Sequence, residues 1–133
     1  MEQNVNILIT ERNSHVREFL KRELAGEGFL VHLAENGLEM LNKVFSREPL
    51  DILILDPDLP DTNIPDILEK INDRVPRLPV VFHTFPLDYH QYAGIIQGGV
   101  FVEKQGSSVE KIKHIIYDIL KNKNNLKANL NKV

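Results

Sequence analysis

Leu50-Asp51-Ile52-Leu53-Ile54-Leu55-Asp56-Pro57-Asp58-Leu59-Pro60 is a nearly unbroken apolar run that ends abruptly in an acid, then a second acid, then a proline. Such a run reads as a strand buried on both faces, the kind found in the middle of a parallel sheet. Open α/β sheets place their chemistry at the carboxyl ends of their strands. Asp56 stands at that end, and the rest of the chain says what surrounds it.

Working outward, residues 5–10 form a short apolar run, a first strand, and Ser14 stands where it can cap the following helix. Val16, Phe19, Leu20 and Leu24 recur there at helical spacing, and Gly28 ends the helix. Residues 29–33 read as a second strand. Asn36-Gly37-Leu38-Glu39 has the form of a capping box, opening a helix with Leu38, Leu41, Val44 and Phe45 on one face. Beyond Asp56, Pro60, Asp61 and Asn63 make a turn, and Pro65 suits the first turn of a third helix carrying Ile67, Leu68 and Ile71. Residues 79–82 give a fourth strand and residues 87–96 a fourth helix. Gly98-Gly99 leads into Val100-Phe101-Val102, a fifth strand. Ser107 and Glu110 then cap a last helix whose Val109, Ile112, Ile116 and Ile119 face inward. Strands alternating with helices in this way predict an α/β domain, a doubly wound parallel sheet with helices on both faces.

The composition narrows the function. At 133 residues the chain fits one domain able to bury a core without staples. It has no cysteine, which excludes disulfides and thiolate metal sites. A net charge of -3 argues against a nucleic-acid-binding domain, and no apolar stretch reaches the length of a membrane span. A cytoplasmic protein is the expectation. Residues 1–121 are expected to form the domain, and the basic, Asn-rich residues 122–133 a polar tail or the start of a linker. The histidines His15, His32, His83, His90 and His114 show no spacing that suits zinc. Along its strand, His83 should point away from the side that Thr84 faces.

In a doubly wound sheet the carboxyl ends of strands one, three, four and five open into one crevice. Here they carry Glu11 and Arg12, then Asp56 and Asp58, then His83 and Thr84, then Lys104. An aspartate can act as nucleophile and carry an acyl phosphate. A threonine hydroxyl and a lysine ammonium can then hold the phosphoryl oxygens.

These residues resemble the receiver domain of two-component response regulators over residues 5 to about 121. Asp56 matches the family's phosphoacceptor within Asp56-Pro57-Asp58-Leu59-Pro60, similar to its D-x-x-x-P pattern. Thr84 matches its switch hydroxyl, Phe101 its switch aromatic, and Lys104 its lysine before the last helix. The resemblance implies a flavodoxin-like sheet of order 2-1-3-4-5. It also implies phosphoryl transfer to Asp56 from a sensor histidine kinase or phosphotransfer protein. The signalling domain is then no enzyme beyond its own phosphorylation and dephosphorylation. Charge placed on Asp56 is expected to draw Thr84 inward, with Phe101 following. The helix-four, strand-five, helix-five face would then change its affinity for a downstream protein. Homodimerisation through the last helices is a habit of the family.

Two departures from the pattern bear on the chemistry. The family places two adjacent acids after strand one, whereas this chain has Glu11-Arg12. Arg12 falls where a direct Mg²⁺ ligand belongs, and a guanidinium cannot ligate a metal. That leaves Glu11, Asp56 and Asp58 for a weakened Mg²⁺ site, or Arg12 pairing with Asp56 in place of the cation. The family's Lys-Pro pair is Lys104-Gln105 here, so a cis peptide is not expected at that bond. Two functions follow: a phosphorylatable receiver with altered Mg²⁺ dependence, or a pseudo-receiver, a binding module that keeps the fold without the chemistry. A flavodoxin-like redox module would need a glycine-rich phosphate loop after strand one, and Thr10-Glu11-Arg12-Asn13-Ser14 has no glycine.

Overall fold

A computed structural model describes residues 4–131, with side chains described for residues 4–124. The elements run β1 (Asn6–Thr10), α1 (Ser14–Gly26), β2 (Leu30–Ala34), α2 (Gly37–Val44), β3 (Ile52–Leu55), α3 (Ile64–Asn72), β4 (Val80–Thr84), α4 (Pro86–Tyr92), β5 (Val100–Glu103) and α5 (Ser108–Asn131). The five strands form one parallel sheet in the order β2-β1-β3-β4-β5. Among the described residues no helix is long and apolar enough to cross a membrane.

The period of two along each central strand divides the core into two layers. Ile7, Ile9, Ile52, Ile54 and Val81 meet Leu20 and Leu24 of α1 and Ile112 and Ile116 of α5. Leu8, Leu53, Leu55 and Phe82 meet Met40 and Val44 of α2 and Ile67, Leu68 and Ile71 of α3. All four residues of β3 are buried, as a strand covered by helices on both sides must be. The inward face of α5 holds Val109, Ile112 and Ile116, with Ile119 partly buried against the same layer.

Several local expectations need correction. The cap of α1 is Asn13 rather than Ser14: its Oδ1 accepts from the N–H groups of His15 at 3.0 Å and Val16 at 3.1 Å. The second strand is shifted by one residue, and Phe29 packs in the core before it begins. At α2 the Asn36 side chain accepts from the Glu39 N–H at 2.8 Å, while the Glu39 carboxylate turns to Lys43 instead of back to the cap. Asp61 takes the other free amides, those of Gly37 at 2.6 Å and Leu38 at 3.1 Å. The buried face of α2 is Met40 and Val44, leaving Leu38 and Phe45 exposed. The fourth helix is shorter than expected and passes into a 3₁₀ turn at Ala93–Ile95. The last helix runs from Ser108 to Asn131.

Candidate functional site

Parallel register brings the strand ends level. Thr10 lies beside Leu55, Leu55 beside Phe82, and Thr84 beside Glu103. The ladder runs one step further: the Asp56 N–H donates to the Thr10 carbonyl at 3.0 Å, and the Lys104 N–H to the Thr84 carbonyl at 2.9 Å. Glu11, Asp56, Thr84 and Lys104 therefore emerge around one point at the carboxyl edge of the sheet.

Asp56 is 5% exposed and both of its oxygens are engaged. Oδ1 accepts from the Thr84 hydroxyl at 2.8 Å and from the Asp58 N–H at 2.9 Å. Oδ2 meets the Lys104 ammonium, which also lies 2.6 Å from Glu11 Oε1. The other Glu11 oxygen accepts from the Asn13 N–H at 3.0 Å. Burial pulls the Lys104 pKa down, but hydrogen bonds and charge from Asp56 and Glu11 overcome it, and the ammonium ends above its ordinary value. Lys104 is thus a fixed cation shared by two buried carboxylates. The Thr84 hydroxyl and the Lys104 ammonium thus meet the same carboxylate, one on each oxygen.

Arg12 corrects another expectation. Its guanidinium does not pair with Asp56; Nη1 sits 3.4 Å from Asp58 Oδ1, and both side chains are more than half exposed. A pair in that setting is weak. It lies across the mouth of the crevice and leaves Asp56 to Lys104. Among the described residues no three histidine, aspartate or glutamate side chains are grouped to hold a metal ion. Lys104 lies between Glu11 and Asp56, and Arg12 lies on Asp58, so each carboxylate that could serve Mg²⁺ faces a side-chain cation.

His83 points to the opposite layer, as alternation requires, and its Nε2 lies 2.8 Å from Ser108 Oγ. Burial, then the charge of Lys104, lowers its pKa to about 4 against the opposing pull of Asp56. Phe101 is half-buried and stacks on Tyr89 of α4, ring centroids 4.3 Å apart at 16°. Tyr89 meets Phe82 edge-on at 5.5 Å. Asp88, beside Tyr89, has its carboxyl pKa raised by burial and by the charges of Asp58 and Asp56.

Three residues here went unmarked in the sequence. Phe85 follows Thr84 and places its ring 5.8 Å from the Lys104 ammonium, within cation–π range. Its only signal was its position directly after the switch hydroxyl. Asp88 gave none, because its proximity depends on where α4 begins. Arg17 is a buried guanidinium whose Nη1 donates to the Glu11 carbonyl at 2.7 Å. A charged residue at an inward helical position could have pointed to it.

Comparison with known proteins bears on the family and the fold. The family described as the response regulator receiver domain matches residues 7–116. The chain is 33% identical over 95 residues to the DNA-binding transcriptional regulator NtrC of Escherichia coli, covering 71% of this chain and 20% of that protein. The chain thus spans about a fifth of that relative's length. Among solved structures it resembles the response regulator TrrA of Thermotoga maritima in complex with Mg²⁺-BeF. That match has a TM-score of 0.74 and 26% identity, covering 86% of this chain and 98% of that one. A CheY-like receiver domain protein from Methanospirillum hungatei shares the fold at a TM-score of 0.76 and 19% identity, covering 92% of this chain and 99% of that one. The chain belongs to the receiver domains of two-component response regulators, whose general function is to accept a phosphoryl group on an aspartate.

Proposed function

We propose that Asp56 is the phosphoacceptor of a phosphorelay, that Thr84 and Lys104 hold the transferred group, and that Mg²⁺ binding is weakened. The observation that carries this reading is the convergence of a hydroxyl, a backbone N–H and an ammonium on one buried carboxylate. These donors stand beside the oxygen that would carry the phosphoryl group, where its charge can be met by hydrogen bonds. In transfer from a phosphohistidine, an Asp56 oxygen attacks phosphorus, the P–N bond breaks, and its electron pair leaves on the imidazole. Thr84 and Lys104 then move their hydrogen bonds to phosphoryl oxygens.

Receiver domains typically bind Mg²⁺ and work with histidine kinases or phosphotransfer proteins and downstream effectors. They are signalling phosphoacceptors, generally not classical enzymes. For this chain, we assign the downstream contact to the face made by α4, β5 and α5, where Tyr89 and Phe101 stack. Dimerisation through the last helices, absence of direct nucleic-acid contact and a cytoplasmic site of action complete the proposal. Arg12, at the crevice mouth, supplies part of the positive charge that the metal brings elsewhere.

A pseudo-receiver is the second reading, favoured by Arg12 and by the closed set of contacts around Asp56. Intact mass after incubation with acetyl phosphate separates the two. One added phosphoryl group with little dependence on Mg²⁺, absent in Asp56→Asn, is the expected result. An adduct that persists in Asp56→Asn would remove Asp56 from its role. No adduct on the wild type or on Arg12→Asp, with or without Mg²⁺, would establish the pseudo-receiver.

A further inference from the structure

Arg17 lies in the first turns of α1 with only 8% of its surface exposed. A cation there opposes the helix macrodipole, and a buried one must be fully partnered. Its partners are two loops. Nη1 donates to the Glu11 carbonyl at 2.7 Å and reaches the Arg12 carbonyl at 3.4 Å, while Nη2 meets Glu35 Oε1 at 3.1 Å. A planar fork can span these acceptors together; a lysine ammonium, a single point of charge, cannot.

The clamp falls on the residue that holds Lys104. The Glu11 N–H is fixed by the Ala34 carbonyl at 3.1 Å and its carbonyl by Arg17. Its carboxylate is divided between the Asn13 N–H and Lys104. With the Arg12 carbonyl also turned toward Arg17, the Arg12 side chain is left over the crevice mouth against Asp58.

We propose that Arg17 is a positioning residue for phosphoryl transfer. By tying the Glu11 and Arg12 carbonyls to Glu35, it keeps the Glu11 carboxylate on Lys104 and the Arg12 guanidinium at the mouth of the site. This rests on the reading of Asp56 as phosphoacceptor. Without Arg17 the Glu11 carboxylate drifts, and Lys104 loses the second carboxylate that holds its ammonium in place to meet the phosphoryl group.

The test compares Arg17→Met, Arg17→Lys and Leu24→Ala, the last a core change on α1 away from the crevice, at a temperature where circular dichroism shows all folded. Two quantities are read: the rate of mass gain from acetyl phosphate, and the ¹³C resonance of the Glu11 carboxyl carbon. Arg17→Met should slow labelling roughly ten-fold or more, since small misplacements at a reacting centre are costly. It should also move the Glu11 resonance. Arg17→Lys should recover part of both, and Leu24→Ala should lower the melting temperature while changing neither.

Labelling of Arg17→Met at the rate of Leu24→Ala would overturn the proposal. So would a slowed rate with an unmoved Glu11 resonance, because the loss would then arise elsewhere. If wild type takes no phosphoryl group, the reading of Asp56 fails, and the Glu11 resonance alone decides whether Arg17 positions it. If Arg17→Met does not fold, Arg17→Lys and Glu35→Gln carry the same comparison.

Discussion

His83 and Lys104 are near neighbours in the fold, and burial acts on both in the same direction with opposite results. Lys104 has two carboxylates to offset its desolvation and stays charged above its ordinary range. His83 has a hydroxyl from Ser108 and a repelling ammonium, so its pKa falls from 6.5 to about 4. The sign of the pH dependence follows. Above pH 6.5 the ring is neutral folded and unfolded, and contributes no slope. Below it the unfolded chain takes a proton that the folded chain refuses, so stability falls as pH drops toward 4. The loss from this one group is about 3 kcal/mol at most. Urea melts at pH 7, 5.5 and 4.5 should show the decline in wild type and a flatter one in His83→Gln; equal slopes would dismiss the ring as the cause. At this scale the sequence showed which residues stand at strand ends, because an acid after an apolar run is visible as such. It did not show the partner of Arg12, whose long side chain chooses between Asp56 and Asp58 by loop geometry. Arg17 was hidden for a different reason: two of its acceptors are backbone carbonyls, which every residue carries.

Helix starts depend on single side chains, and here a neighbour displaced the expected one. Asn13 and Ser14 are both good caps by type, but the extended backbone of Asn13 turns its amide oxygen onto the amides of His15 and Val16. Asn13→Ala should therefore cost about 1 kcal/mol in urea unfolding, and Ser14→Ala less than about 0.5 kcal/mol. The reverse order would return the cap to Ser14. The start of α2 shows why its inward face was misread. Asp61, from the loop after β3, seizes two of its first amides. Gly37 is pressed so closely on Ile64 and Ile67 that a Cβ would come within 2.9 Å of each. Those contacts set the rotation of a short helix, bringing Met40 and Val44 inward and leaving Leu38 outside. Periodicity alone cannot report a rotation fixed by a distant loop. It succeeded for α5, where apolar spacing sustained from Val109 to Ile119 outweighs any one end.

For the molecule as a whole, strand order and helix placement were legible because fully apolar strands alternating with helices admit few packings. What was not legible is how a change at Asp56 reaches the far face. The sequence reading carries the signal through Thr84, which bonds Asp56 in the structure, and a second route is open beside it. Asp88 provides it. It lies on α4, its carboxyl pKa is raised by burial and by the charges of Asp58 and Asp56 against the pull of Lys104, and its neighbour Tyr89 stacks on Phe101. A phosphoryl group on Asp56 brings roughly two negative charges where the carboxylate brings one. The added repulsion works against a stack worth about 0.5–1.5 kcal/mol beyond its burial, so a shift of about 1 kcal/mol redistributes its population several-fold. Phosphorylation should therefore move the ring resonances of Tyr89 and Phe101 in wild type and move them much less in Asp88→Asn. Equal movement in both would show that α4 is driven through Thr84 and Lys104 alone. Still rings in a fully phosphorylated wild type would mean that this face does not read Asp56 at all.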